Sequence, residues 1–388
     1  MYDEKMVEGS ISIELVESDQ GFKNLRREWK DLLERSLTNT IFLTWEWLYS
    51  WWNVYASGKK LNILCVRNEN NELVGIAPFF IHEANYYKIP VVEIAFLGDR
   101  VSDRQDLIVD KRYPQVYKEI VAHMYDDRRW HTARLEQVPE WSTLVSASFR
   151  KQFDEVYGRE EASLLPFIYI NSDWETYYKG LSKNFRRDLS KKYNILTREG
   201  KWRFINTTNL SNIDEEFEKI FELELASDKA AAGYALFVND KSRHFHKTFS
   251  KYCVDNDWLS ISYMELNDRP ISYLIGYRYE NSFFAYNMAY LSKFYRASPG
   301  KLVLHETIKH CFLNNFREFD LLRGDTYIKD LWTKTKKINY RIVFFNKGLR
   351  SRMLKTAIFG VRPIVKRFLF GVTSRHVVKK KTSIREIS

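Results

Sequence analysis

The chain has 388 residues, of which 45% are hydrophobic, 16% aromatic and 29% charged, a composition that excludes a disordered chain and suggests two or three globular domains. Its formal net charge of +11 suggests an anionic partner, either nucleic acid or a membrane surface. Cys65, Cys253 and Cys311 cannot form a disulfide scaffold and indicate buried thiols in a reducing compartment. Because no His, Cys or carboxylate cluster has metal-ligand spacing, we expect no metal.

The first half of the chain predicts a helix, three strands, a helix and a strand. In chain order these elements cover residues 17–36, 61–68, 73–84, 91–99, a helix from about Pro114, and 131–139. The acidic N-terminus lacks the apolar run of a signal peptide, and no stretch has eighteen consecutive apolar residues. We therefore expect a cytoplasmic protein.

The second half repeats this order after two opening helices. The predicted helices cover 174–200, 213–231 and 302–315, and the predicted strands cover 258–266, 270–279, 282–290 and 316–324. The repetition predicts an α/β (α+β) protein made of two tandem units, residues 1–162 and 163–346, followed by a tail, 347–388. Each unit is expected to be a mixed, mostly antiparallel sheet flanked by helices.

A candidate anion site lies before the helix at 302–315. The segment Arg296–Lys301 combines a glycine, a hydroxyl and flanking cations at a helix start, where free N–H groups and the helix dipole favour an anion. The alternative is an ordinary Ser-Pro-Gly turn that opens a helix. The corresponding stretch of the first unit has no glycine, so we expect any phosphate ligand in the second unit alone.

Residues 181–200, 266–310 and 316–334 together resemble the GNAT acyltransferase superfamily. The tandem arrangement is similar to the cellulose-biosynthesis-associated (CelD-type) acetyltransferases, relatives of the Fem-type peptidoglycan aminoacyl transferases. Weaker likeness extends to the first unit. The resemblance implies acyl-CoA as co-substrate, although the usual loop has several glycines and this one has only Gly300.

The resemblance also implies which residues bind the donor. Backbone amides of Ser298, Gly300 and Lys301 would contact the CoA pyrophosphate, and Arg296 would add charge. The backbone at the end of the central strand would bond the pantetheine arm, through Asn287, Met288, Ala289 and Tyr290.

Acid–base chemistry is predicted in the segment that follows the last strand. Acyl transfer needs a base for the nucleophile and an acid for the leaving thiolate. Asp325 and Tyr327 are our catalytic candidates, and Lys329 and Trp332 would shape the acceptor pocket. The alternative is structural: Arg323 and Asp325 would form an ion pair, and Tyr327 would pack.

A basic helix face, which includes Lys183, Arg186 and Arg187, is the second candidate for acceptor binding. It is either a solvated face or a site for an anionic sugar, a lipid-linked phosphate or tRNA phosphates. Because the long coiled-coil arm of Fem-type enzymes is missing from the sequence, nucleic acid is disfavoured.

The tail holds the whole charge excess. It has twelve Lys and Arg against Glu386, which leaves 49 basic and 49 acidic residues in the rest of the chain. An apolar stripe in it is flanked by cations, typical of a helix that binds the inner face of the cell membrane, although Pro363 interrupts it. A helix packed on the body is the alternative.

These patterns predict an acyl-CoA-dependent N- or O-acyltransferase that acts on a sugar or on a cell-envelope or exopolysaccharide precursor. One alternative is an aminoacyl-tRNA-dependent transferase of the Fem type in peptidoglycan synthesis. The other is a catalytically degenerate GNAT protein that serves as a scaffold for a polysaccharide synthase.

Overall fold

Short segments rich in β-branched and aromatic residues form one mixed sheet of 13 strands. The computed structural model describes residues 9–86, 88–153, 156–208 and 212–357, to which all structural statements refer. The strands are β1 Ile11–Val16, β2 Lys59–Asn68, β3 Leu73–Tyr86, β4 Ile89–Phe96, β5 Ile108–Val109, β6 Thr132–Pro139, β7 Tyr157–Tyr169, β8 Trp202–Thr207, β9 Leu259–Leu266, β10 Arg269–Tyr279, β11 Ser282–Tyr290, β12 Glu318–Asp320 and β13 Lys336–Phe345.

Helices connect the strands and pack on the sheet. They are α1 Asp19–Asn24, α2 Arg26–Arg35, α3 Trp45–Tyr55, α4 Val116–Asp126, α5 Ala147–Gln152, α6 Trp174–Gly180, α7 Lys183–Glu199, α8 Ile213–Leu225, α9 Asp228–Ala231, α10 Asp240–Asp255, α11 Pro299–Leu313, α12 Tyr327–Asp330 and α13 Leu349–Lys355. The helix predicted over 174–200 is broken between α6 and α7, where the Ser182 hydroxyl accepts a hydrogen bond from the Phe185 amide at 3.2 Å and caps α7.

The strand order shows the internal duplication. It runs β1-β2-β3-β4-β6-β13-β7-β12-β11-β10-β9-β8, with β5 paired to β3. Neighbours are antiparallel except for the parallel pairs β4–β6 and β11–β12. From one edge inward, the order is β1, β2, β3, β4, β6 and β13. From the other edge inward, it is β8, β9, β10, β11, β12 and β7, so each strand of one series has a counterpart at the same position in the other. The predicted fold class, two tandem units of mixed sheet flanked by helices, is confirmed.

The last strand of each half lies next to the other half. β7 pairs with β12, and β13 lies between β6 and β7. The predicted boundary at 162/163 falls inside β7, so one continuous strand crosses it. The division of the chain into two repeated units, 1–162 and 163–346, therefore stays a prediction. In the structure, hydrogen bonds join the two halves into one sheet.

A shared apolar core also joins the halves. The Trp47 ring of α3 lies 4.9 Å from Phe245 and 4.8 Å from Phe249 of α10, and 5.6 Å from Tyr286 of β11. Packing of α3 against α10 thus places the first half directly behind the strand that the resemblance assigns to the donor site. The three cysteines are free and buried, as predicted.

The start of the tail packs on the body. Leu354 of α13 is fully buried against Val91, Val343 and Phe345. This packing agrees with the alternative of a packed helix for residues 349–355. The rest of the predicted amphipathic stripe, from Ile358 onward, lies outside the described residues.

Candidate functional site

A cavity opens where two parallel strands separate. β11 and β12 pair only over Ser282–Phe284 and Glu318–Asp320, after which the chain following β12 turns away. Past this point the edge of β11 has no ladder partner among the described strands. A cavity of about 410 Å³ lies in the gap between β11 and the chain that follows β12. Its lining comprises Asp103, Lys229, Tyr234, Leu236, Leu274, Ala285, Tyr286, Asn287, Met288, Leu304, Leu321, Leu322, Arg323, Thr326, Ile328 and Lys329.

A β-bulge shapes the wall of this cavity. The register between β10 and β11 shifts after Ile275, and Tyr286 is the extra residue. Gly276 makes the shift possible, because a Cβ there would lie 2.4 Å from the Phe283 ring. The Tyr286 hydroxyl donates to the carbonyl of Val101 at 3.1 Å, which anchors the bulge to the first half.

Asn287, the next residue, is held by its side chain. Its Nδ2 donates to Glu224 Oε1 and to the Tyr273 hydroxyl, both at 2.8 Å, and its Oδ1 accepts from Lys229 Nζ at 3.0 Å. Asn287 and Met288, two of the four residues predicted to bind the pantetheine arm, line the cavity. Ala289 is buried, and the ring of Tyr290 lies against Gly300.

The predicted anion loop lies at the start of α11. Ser298 adopts a left-handed conformation (φ 49°), and its carbonyl accepts from the amides of Lys301 and Leu302. The amides of Ala297 and Ser298 donate to Phe294 and Tyr295. Since Pro299 has no N–H, the Gly300 amide is the one donor of residues 297–302 without a described partner. The loop is therefore built as a turn with one free amide.

Side chains of α7 hold this loop in place. Lys301 Nζ donates to Asp188 Oδ2 at 2.6 Å, and Lys192 Nζ donates to the Arg296 carbonyl at 2.7 Å. Arg296 itself is exposed and hydrogen-bonded to the Tyr295 hydroxyl at 3.2 Å, which raises its pKa. Of the two predicted cations, Arg296 is thus accessible to a ligand and Lys301 is committed to Asp188.

The predicted catalytic residues lie outside the lining of the cavity. The Asp325 carboxylate forms an ion pair with Lys336, and Tyr327 is 78% exposed. The structural alternative also differs from the structure, because Arg323 pairs with Asp103 and Tyr327 does not pack. The catalytic role of Asp325 and Tyr327 stays a prediction without a contact to the cavity.

A carboxylate from the first half reaches the cavity instead. Asp103 is the one carboxylate among the described lining residues, and its side chain is 7% exposed. Its Oδ1 lies 2.7 Å from Arg323 Nε, and its Oδ2 accepts from the Arg323 amide at 3.1 Å. Burial raises the pKa of Asp103, although the Arg323 charge acts in the opposite direction.

Buried contacts fix the segment that carries Asp103. The neighbouring Arg104 forms a buried ion pair with Asp320, the last residue of β12. The Asp103 carbonyl accepts from Asn339 Nδ2 of β13 at 2.6 Å. Sequence reasoning missed Asp103 because its partner Arg323 is 220 positions away, and no local motif connects them.

Two lysines line the same cavity. Burial lowers the pKa of both Lys229 and Lys329. Lys329 Nζ donates to the carbonyls of Leu322 and Arg323 at 3.1 and 2.7 Å, so it supports the backbone after β12. Trp332, predicted with Lys329 for the pocket, lies instead in the core, 2% exposed and 4.8 Å from the Phe185 ring.

The predicted basic face of α7 is exposed. Lys183, Arg186 and Arg187 border an open depression of about 660 Å³, together with Lys191 and Arg198. Arg186 Nε donates to the Leu181 carbonyl at 3.2 Å, and the other four cations form no ion pair with a described residue. The lining of this depression contains no carboxylate. The two predicted acceptor regions, α7 and the cavity, are separate surfaces.

The fold and the open strand pair define a class of protein. Residues 183–330 match the family described as an acetyltransferase (GNAT) domain, so this region is a GNAT-type acetyltransferase domain and the chain is an acyltransferase by class. No curated protein matches the sequence.

Solved structures with the same fold cover nearly the whole described chain. FemX has a TM-score of 0.59 at 8% identity, covering 86% of this chain and 98% of its own. The C-terminal DUF2156 domain of a candidate lysylphosphatidylglycerol synthetase from Agrobacterium fabrum has a TM-score of 0.51 at 10% identity, with coverage of 87% and 96%. L-PGS from Bacillus licheniformis has 0.50 at 12% identity, with coverage of 84% and 94%. These identities establish similarity of fold.

The described residues have neither a metal-binding cluster nor a membrane-spanning helix. They contain no group of three or more His, Cys, Asp or Glu side chains placed to hold a metal ion. Within the same residues, no helix is long and apolar enough to cross a membrane.

Proposed function

We propose that the protein transfers an acyl group from acyl-CoA to an amine or hydroxyl of a sugar or a cell-envelope precursor, as a relative of the cellulose-biosynthesis-associated acetyltransferases. One observation carries the proposal: the unpaired edge of β11 borders a cavity to which α11 contributes Leu304. An extended pantetheine arm has amide groups that fit a free strand edge. The Gly300 amide and the helix dipole of α11 would receive the pyrophosphate.

The groups that line the cavity support a direct transfer. The Asp103 carboxylate, with its raised pKa, would accept the proton of the attacking amine or hydroxyl. The nucleophile would then form a bond to the thioester carbon, and the C–S bond would break as the thiolate leaves. Lys329, which lines the cavity, would stabilise the negative charge that develops on the carbonyl oxygen.

Donor binding tests the proposal directly. We expect isothermal titration calorimetry of the full chain to detect acetyl-CoA or a longer acyl-CoA. An acyl-CoA that binds should also raise the unfolding temperature. The proposal is wrong if folded protein binds none of a series from acetyl- to palmitoyl-CoA.

A second candidate is aminoacyl-tRNA-dependent transfer of the Fem type. It is favoured by the four cations of α7 without a described ion-pair partner, Lys183, Arg187, Lys191 and Arg198. Binding of RNA through such a face would weaken steeply with salt. A flat salt dependence of tRNA affinity in a filter-binding assay would remove this candidate.

A further inference from the structure

Two exposed apolar side chains belong to the lining of the cavity. Tyr234 is 81% exposed and Ile328 is 51% exposed. We call these two residues the apolar rim. Three further exposed apolar residues, Leu225, Val238 and Tyr327, lie close to them in the sequence but are not part of the lining. Exposed apolar side chains at a cavity are typical of a binding surface.

The interior behind this rim has the opposite character. Three cations line the cavity, Lys229, Arg323 and Lys329, against one carboxylate, Asp103. An apolar rim around a cationic interior complements a molecule with an anionic group and an adjoining hydrocarbon part. Anionic phospholipids have this structure, because the phosphate lies next to the acyl chains.

We infer that the mouth of the cavity docks on an anionic lipid surface, from which the acceptor enters. This inference rests on the proposed function for the identity of the reaction. Tyrosine side chains favour the boundary between head groups and hydrocarbon, where the ring is apolar and the hydroxyl stays wet.

Vesicle binding of the full chain tests the inference. We would measure co-sedimentation with phosphatidylcholine vesicles and with vesicles of phosphatidylcholine and phosphatidylglycerol. Wild-type protein is expected to prefer the anionic vesicles. The double variant Y234S/I328S should lose about tenfold or more in affinity, because two exposed apolar side chains no longer enter the lipid. The matched control is L313S, since Leu313 is 66% exposed at the far end of α11.

Several outcomes would overturn the inference. One is absence of vesicle binding by the wild type, and another is equal binding by Y234S/I328S and the wild type, which would assign lipid contact to the basic tail. A third is rim-dependent calorimetric binding of UDP-N-acetylglucosamine without vesicle binding, which would make the rim a carbohydrate platform. Acyl-CoA titrations of the wild type without vesicles separate this failure from that of the proposed function, because donor binding by the folded chain does not require a lipid surface.

Discussion

At the scale of single residues, the candidate site depends on contacts between distant parts of the sequence. The sequence indicated β11 and the turn at the start of α11 as the candidate donor site, because the strand pattern and the Gly-containing helix start are local. It could not indicate the proposed base Asp103, which meets Arg323 only when the two halves of the chain fold together. It also predicted that Trp332 would shape the pocket. In the structure, Trp332 is buried in the core and packs on Phe185. Local patterns therefore indicated the backbone elements around the cavity, whereas the contact between Asp103 and Arg323 depends on tertiary structure.

Replacement of Asp103 by Asn tests the proposed base. We expect D103N to lower kcat/KM by roughly 10²- to 10⁴-fold, the usual contribution of a general base. Wild-type kcat/KM should rise with pH through the raised pKa of Asp103, because the base acts as the carboxylate, and D103N should lose this dependence. D325N is the matched control and should retain activity. A pH profile that persists in D103N but disappears in D325N would return the assignment to Asp325.

Asp106 gives a pH dependence of stability. It is fully buried, accepts from Thr38 and Ser142 hydroxyls at 2.7 Å each, and burial raises its pKa to about 7. Since the unfolded pKa is about 3.9, the folded state holds the proton more tightly. This contribution to stability is present below about pH 4 and is lost as pH rises through about 7.

We therefore expect wild-type protein to lose stability relative to D106N between pH 5 and pH 8, by on the order of a few kcal/mol. Urea unfolding at both pH values measures this difference. D240N is the control, because the Asp240 side chain is 98% exposed. Parallel pH dependence in wild type and D106N would contradict the prediction.

At the scale of elements, the predicted meanders and helices were largely confirmed, and the strands of the join were missed. β13 has alternating Ile338, Tyr340, Ile342 and Phe344, a signal that could have identified it. β7 is harder to recognise because charged residues occupy its first half. The strand predicted over 316–324 is only β12, because the chain leaves the sheet after Asp320 to open the cavity.

The first turn of α11 supplies the prediction at this scale. A methyl group on residue 300 would lie 2.9 Å from the Tyr290 ring, so G300A should displace the loop and its free amide. We expect about a tenfold loss of acyl-CoA affinity by calorimetry, with little change in unfolding temperature. G180A is the matched control, since its added Cβ would meet no atom within 4 Å. Equal affinities of G300A and G180A would exclude the loop from donor binding.

At the scale of the whole molecule, the two halves are joined by strand pairing across their boundary and by a cavity that residues of both halves line. β13 is hydrogen-bonded to β6 of the first half on one side and to β7, which crosses the boundary, on the other, and β7 borders β12. The same arrangement brings Asp103 to the cavity of the second half and the Val101 carbonyl to the Tyr286 hydroxyl. The body, with 49 basic and 49 acidic residues, thus forms one structural unit in which the half without the predicted phosphate loop contributes Asp103 to the cavity of the other.

The pairing of strands across the boundary between the halves predicts how the protein unfolds. A fragment of residues 1–162 lacks β13 and leaves the edge of β6 unpaired, and a fragment of 163–346 lacks residues 157–162 of the 13-residue strand β7. We expect the full chain to unfold in a single calorimetric transition with equal van't Hoff and calorimetric enthalpies. Each fragment alone should show no cooperative transition, whereas residues 1–357 should unfold like the full chain. Two resolved transitions, or a cooperatively folded 163–346 fragment, would mean that the units are independent domains. Strand pairing across the boundary would then be dispensable for the fold.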